Sequence, residues 1–167
     1  MKKFKTADLC DAHYKSDYEN KNIVITKPIG LKNFGGISRF YGQIQTLKCF
    51  EDHSGVENML SKDGTGKVLL IDGKGSLHCA LVGDKLASLA IKNNWNGIIV
   101  NGAIRDSATI RELPIGLRAL GTCPVTKVTD NVCEENGGIH FADTYFWSDQ
   151  FIYCDEDGII ISKTKLL

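Results

Sequence analysis

The sequence predicts an α/β fold in a single domain spanning residues 1–167. Three observations predict it. Two short runs, Lys67-Val68-Leu69-Leu70-Ile71 and Gly97-Ile98-Ile99-Val100-Asn101, are almost continuously apolar, as in strands buried on both faces. Between them lies a helical pattern from Asp84 to Asn94. Turn residues punctuate further strand-like runs toward both ends. The result is an α/β centre flanked by mostly β arms, in a chain long enough for a sizeable core.

Taken in order, Thr6 to Ala12 begins with a capping signal. Thr6 can cap this helix and Asp8 sits in its first turn, where the helix dipole favours a carboxylate. Lys21 to Ile25 reads as a short strand ended by Pro28 and Gly30. Asn33-Phe34-Gly35-Gly36 is a loop whose glycines imply positive φ or close backbone approach. Gly42 to Phe50 alternates as a strand. Ile44, Thr46 and Lys48 face one way; Gln45, Leu47 and Cys49 face the other. Val56 to Leu60 is a short helix, and Asp63-Gly64-Thr65-Gly66 is a turn.

The first buried strand runs into a glycine-rich loop, Asp72-Gly73-Lys74-Gly75-Ser76. Leu77 to Leu81 is a strand or an extended lead-in to the next helix. In that helix Leu86, Leu89, Ala90 and Asn93 share one face at i, i+3, i+4, i+7. Asn93, Asn94 and Gly97 stop it. Arg105 to Glu112 starts another helix, which Pro114 interrupts, and Leu117 to Gly121 is a strand. Turns at Asp130-Asn131 and Glu135-Asn136-Gly137-Gly138 precede short strands at Ile139–Phe141, Phe151–Cys154 and Gly158–Ile161. The last two form a hairpin around Asp155-Glu156-Asp157-Gly158.

Lys+Arg and Asp+Glu both number 20, so the formal net charge is zero. That balance argues against a broad nucleic-acid or membrane-binding surface and leaves self-association unopposed. No run has the length of a membrane span, and the basic start Met1-Lys2-Lys3-Phe4-Lys5 is followed by Asp8, Asp11 and His13 rather than an apolar core. A cytoplasmic location is the expectation. Six scattered cysteines form no Cys-x-x-Cys pair and read as reduced, mostly buried thiols. His13, His53, His78 and His140 lack ligand spacing and read as surface or packed side chains.

The chemistry concentrates between Gly83 and Asp106. Twenty residues separate Asp84, at a helix start, from Arg105, at a strand exit. The first backbone N–H groups of a helix lack intrahelical partners and carry partial positive charge, so Gly83 to Leu86 can hold a carboxylate. Asp84 either caps these groups or points into a site and relays a proton through water. Arg105-Asp106, taken alone, reads as a surface ion pair at a strand exit. Gly73-Lys74-Gly75 lacks the Gly-x4-Gly-Lys-Ser/Thr pattern of a phosphate loop.

Asp84, twenty intervening residues and Arg105-Asp106 resemble the motif of the RraA-like family, which includes regulators of ribonuclease activity and class II 4-hydroxy-4-methyl-2-oxoglutarate aldolases. Asp8-Leu9-Cys10-Asp11, Phe34-Gly35-Gly36, Gly42-Gln43-Ile44, Thr46 to Asp52, Gly66 to Gly73 and Leu117 to Thr122 carry the resemblance over roughly residues 6 to 162. It implies a compact α/β/β sandwich of the swivelling phosphohistidine-domain type and a ring-shaped homotrimer with the site near a subunit boundary.

The resemblance also implies roles. Asp106 is the direct ligand of a divalent cation, magnesium or manganese. Arg105 contacts the carboxylate or carbonyl oxygen of a small 2-oxo diacid. Gly83, Asp84, Lys85 and Leu86 form the substrate loop, and Asp84 and Arg105 are the catalytic pair. The implied reaction is metal-dependent cleavage of 4-hydroxy-4-methyl-2-oxoglutarate to pyruvate, with oxaloacetate decarboxylation through the same enolate. The alternative is a regulator that binds ribonuclease E. The family pattern carries an acidic residue shortly beyond Arg-Asp. Here Ser107-Ala108 is followed by Thr109, which has no negative charge to add.

Overall fold

A computed structural model of the chain describes residues 3–13, 22–129 and 133–167. The elements run α1 (Thr6–His13), β1 (Ile23–Ile25), β2 (Lys32–Asn33), β3 (Phe40–Lys48), α2 (Ser54–Leu60), β4 (Lys67–Asp72), β5 (Ala80–Val82), α3 (Asp84–Lys92) and β6 (Gly97–Ile104). They continue with α4 (Ser107–Glu112), β7 (Gly116–Thr122), β8 (Glu134–Glu135), β9 (Ile139–Phe141), β10 (Thr144–Phe146), β11 (Phe151–Cys154) and β12 (Ile159–Ser162). The expected strand start at Lys21 and the Asp130-Asn131 turn lie outside the described residues.

One mixed sheet takes the order β1-β12-β11-β3-β4-β6-β7-β2, with β5 also on β6 and β8 also on β3. Its centre is parallel: β3 with β4, β4 with β6, and β6 with both β5 and β7. Such strands need crossover connections, and α2, α3 and α4 supply them. The outer pairs are antiparallel, including the expected β11–β12 hairpin.

The apolar runs explain the layers. Leu69 and Ile71 of β4 and Ile98 and Val100 of β6 face Val56, Met59 and Leu60 of α2, Ala87 and Ala90 of α3, and Ile110 of α4. Val68, Leu70 and Ile99 face the other way, onto Phe141 and Phe146 of the β9–β10 ribbon and Ile152, Ile159 and Ile161. Helices, central sheet and a second β layer make the α/β/β arrangement. A third cluster seats Phe4 and Leu9 against Ile23, Tyr153 and Ile160.

Several expectations change in detail. Thr6 does not cap its own helix. Its N–H and hydroxyl both donate to the Asp155 carboxylate at 2.6 Å, pinning α1 to the hairpin turn. The buried face of α3 centres on Ala87 and Ala90, with Leu86 and Leu89 only partly covered, because the close sheet admits the small side chains first. Leu77 is 49% exposed, so the uncertain segment becomes a strand only at Ala80. Gly35 and Gly36 keep negative φ and serve close approach. A Cβ on Gly36 would stand 2.6 Å from the Leu113 carbonyl oxygen. The reduced-thiol expectation holds for Cys10, Cys79, Cys123 and Cys154, but Cys49 and Cys133 form a disulfide across 84 residues. β3 delivers Cys49 and the β8 lead-in delivers Cys133 to the same edge, a pairing that sequence spacing does not reveal. No helix among the described residues is long and apolar enough to cross a membrane.

Candidate active site

Strand register builds this site. Val82 of β5 pairs in parallel with Ile104 of β6, so the next residues, Gly83 and Arg105, leave the sheet side by side. The Arg105 N–H donates to the Val82 carbonyl at 2.9 Å and closes the join. This is the carboxyl end of a parallel sheet, where α/β folds commonly bind ligands.

Beyond the join the backbone turns sharply. Asp106 takes φ 56°, ψ 35° at the N-cap of α4 yet does not cap that helix with its side chain. The carboxylate crosses to the start of α3 instead. Oδ2 accepts a long hydrogen bond from the Asp84 N–H at 3.4 Å and stands 3.4 Å from Arg105 Nε. Gly83 makes room for both. A Cβ there would be 2.9 Å from Asp106 Oδ2 and 3.1 Å from Arg105 Nε.

Asp84 resolves the question that the sequence leaves open. Gly83 is the N-cap of α3, and Asp84 is its first residue. One carboxylate oxygen, Oδ1, accepts from the Lys85 N–H at 2.7 Å. Two of the expected anion-binding amides, those of Asp84 and Lys85, therefore already have carboxylate acceptors, which a ligand would displace. Arg105 is held only loosely. Nη1 lies 3.4 Å from Thr126 Oγ1, and the buried Nε has no hydrogen-bond partner among the described residues. Its Nη donors, on a side chain that is 40% exposed, remain available to an anionic ligand.

Gly83, Asp84, Lys85, Leu86 and Arg105 line one cleft of about 120 Å³, so five of the six expected site residues converge. Asp106 does not line it but touches Gly83 and Arg105, which do. Leu81, His53, Glu57 and Thr126 complete the wall. From the sequence His53 reads as a surface or packed side chain and Thr126 carries no signal, because each lies about 20 or more residues from the motif and neither belongs to a pattern. A larger cleft of about 340 Å³, between residues 25–31 and 156–159, contains none of the expected residues.

The loops behind the cleft are tied together. Asp52, fully buried, accepts from the N–H and hydroxyl of Ser54 at 2.8 and 2.7 Å and from those of Thr129 at 3.0 and 2.9 Å. Burial pushes the Asp52 carboxyl up, but these four donors together hold it below the usual carboxylate range. Glu51 accepts from Lys127 Nζ at 2.7 Å and Ser76 Oγ at 2.8 Å, and these bonds lower its pKa to about 2. The 51–54 and 126–129 segments thus form one braced wall.

The sequence model of the RraA-like family, described as Aldolase/RraA, matches residues 6–161. The chain belongs to the RraA-like family. Among its relatives are proteins named "Putative 4-hydroxy-4-methyl-2-oxoglutarate aldolase". One, from Laribacter hongkongensis, is 47% identical over 98% of this chain and 99% of its own. Another, from Photobacterium profundum, is 45% identical over 95% and 93%. The fold matches an RNA-processing inhibitor RraA from Thermus thermophilis at TM-score 0.90, with 33% identity over 99% of this chain and 96% of that one. It matches equally, at 0.90 and 35% identity over 98% and 97%, a Geobacillus kaustophilus structure described as an S-adenosylmethionine:2-dimethylmenaquinone methyltransferase. The RraA-like fold is secure, while the names attached to it differ.

The family resemblance implies a divalent cation at Asp106, and the residues present can be tested against it. Among the described residues no cluster of three or more His, Cys, Asp or Glu side chains could hold a metal. That excludes a closed structural zinc site built from these residues. A lone carboxylate such as Asp106 would suit a magnesium-like ion, which keeps several waters and takes one or two carboxylates. The Asp106 side chain is 40% exposed, open enough for a hydrated ion. Thr109, where the RraA-like pattern has an acidic residue nearby, is exposed on α4.

Proposed function

We propose that this chain is a divalent-metal-dependent carbon–carbon lyase. It cleaves 4-hydroxy-4-methyl-2-oxoglutarate to pyruvate and decarboxylates oxaloacetate. The observation that carries the reading is the shared cleft of Arg105 and the α3 N-terminus, with Asp106 in contact with both.

Each residue has a task. The amides of Gly83 to Leu86, at the positive end of the α3 dipole, take the carboxylate beside the 2-oxo group. Lys85 adds a positive charge at the same helix start. Arg105 presents donors to the 2-oxo oxygen, where negative charge develops as the carbon–carbon bond breaks. Asp84 positions a water that carries the hydroxyl proton away. Asp106 would hold the cation, magnesium or manganese, which supplies Lewis-acid polarisation when bound. Loss of carbon dioxide from oxaloacetate leaves the same enolate, so one site serves both reactions.

The working unit in this reading is a cytoplasmic homotrimer. The test is pyruvate formation from oxaloacetate by the purified protein with magnesium, with EDTA, and with Asp106→Ala. Metal-dependent turnover that disappears in the variant supports the reading. Turnover no faster than magnesium alone sinks it. The name of the Thermus relative favours a second reading, a regulator that binds ribonuclease E. Unchanged ribonuclease E cleavage in the presence of this protein would remove it.

A further inference from the structure

The lyase reading leaves the hydroxyl proton without a final acceptor, and the cleft contains a side chain suited to the task. His53 stands at the start of α2 and lines the cleft together with Asp84, Lys85, Arg105 and Glu57. Among the described residues its ring is anchored on one side. Nδ1 lies 2.8 Å from the Lys127 carbonyl oxygen, which can only accept, so Nδ1 carries the hydrogen. The backbone N–H of His53 donates to that same carbonyl at 3.4 Å. This leaves the neutral imidazole with a lone pair at Nε2.

The anchor is rigid for identifiable reasons. Lys127 is held by Glu51, and the adjoining Asp52 ties Ser54 to Thr129 on either side of the His53 contact. Thr126, next in the chain to Lys127, touches Arg105. One wall therefore anchors the ring and borders the guanidinium. Asp84 is the other candidate acceptor, but one of its oxygens is already bonded to the Lys85 N–H.

We propose that His53 Nε2 is the proton acceptor in cleavage of the 4-hydroxy-2-oxo acid, an inference that rests on the lyase reading above. The C4 hydroxyl proton passes, through the water that Asp84 positions, to Nε2. The oxygen's electron pair becomes the new carbonyl, and the C3–C4 bond breaks. Its electron pair moves onto the three-carbon fragment as pyruvate enolate. The imidazolium then returns the proton to C3, giving pyruvate and regenerating neutral His53. No electron or proton is left over.

Oxaloacetate decarboxylation separates this role from a structural one. Losing carbon dioxide forms the enolate without removing any hydroxyl proton, so an acceptor is unnecessary, and the enolate takes its C3 proton from water rather than from an imidazolium. Both reactions are measured on the full-length protein, as wild type and as His53→Asn. Asparagine can keep a donor to the Lys127 carbonyl while deleting Nε2. The expected result is a kcat lower by about 10²-fold for 4-hydroxy-4-methyl-2-oxoglutarate cleavage, a loss at least about 10-fold larger than any loss in oxaloacetate turnover. His53→Gln, which places an amide near Nε2 but takes no proton at working pH, is expected to show the same split. Equal losses in both reactions, or no loss in either, overturn the proposal and leave the lyase reading standing. Wild-type protein inactive on both substrates overturns the lyase reading and this inference with it.

Discussion

Gly83 and Asp106, 23 positions apart in sequence, are packed so closely that a Cβ on the glycine would sit 2.9 Å from the Asp106 carboxylate. Backbone strain is not the reason for glycine here. Its φ of −122° and ψ of −175° are extended values open to any residue. The constraint is space for the Asp106 and Arg105 side chains. Gly83→Ala is expected to keep the fold, with a melting temperature near wild type, while lowering pyruvate formation about 10-fold or more by displacing both groups. Thermal unfolding and oxaloacetate turnover on the same preparation check this. Wild-type turnover would show that the contact does not matter.

Asp106 itself offers a separation of stability from activity. A non-glycine residue at φ 56° is in the left-handed region, which glycine occupies without steric cost. Asp106→Gly removes the carboxylate and relieves the backbone together. The expected outcome is an unchanged or slightly raised melting temperature with metal-dependent turnover lost. A large fall in melting temperature would mean that the carboxylate holds the α3 and α4 starts together.

Arg105→Lys tests the fork geometry of the guanidinium. Lysine keeps the charge but presents a single point donor, and it loses the reach to Thr126. The expectation is a fall in kcat/KM of about 10-fold or more, with the fold intact. Wild-type kinetics would assign charge alone to Arg105.

Acid sensitivity follows from Asp155. Burial pushes its carboxyl up, but hydrogen bonds from Thr6, Asp157 and Gly158 hold it below the usual range. A carboxyl depressed in the folded state stabilises the protein above its unfolded value of about 3.9 and loses that contribution as pH falls toward the folded one. Melting temperatures should therefore fall below about pH 4. Asp155→Asn should weaken that dependence and cost about 1–3 kcal/mol at neutral pH. A variant as stable as wild type at pH 7 would count against the α1 anchor.

The Cys49–Cys133 link is open to direct counting. Denatured, unreduced protein should show four reactive thiols, those of Cys10, Cys79, Cys123 and Cys154, and six after reduction. Six before reduction would restore the expectation read from the sequence.

Local chemistry made much of this protein legible. The apolar runs at Lys67–Ile71 and Gly97–Asn101 read as buried strands because both faces are apolar, and both are central. Asp84 to Asn94 read as a helix from its spacing and start signal, and the helix runs Asp84–Lys92. The two-residue pairs β2 and β8 were not legible, since two residues carry no period, and β10 becomes a strand only through its pairing with β9.

The sequence by itself determined the α/β centre, the family and the residues flanking the join, because strand burial and helix starts are written in nearest neighbours. Only the tertiary structure decided what those residues meet. Parallel register between Val82 and Ile104 put Gly83 beside Arg105. The fold brought His53 and Thr126 to the same cleft from distant loops and Cys133 to Cys49. It also took Thr6 from its own helix and gave it to Asp155. Such contacts depend on which strand edges and loop ends the packed sheet brings together, and no local pattern encodes that.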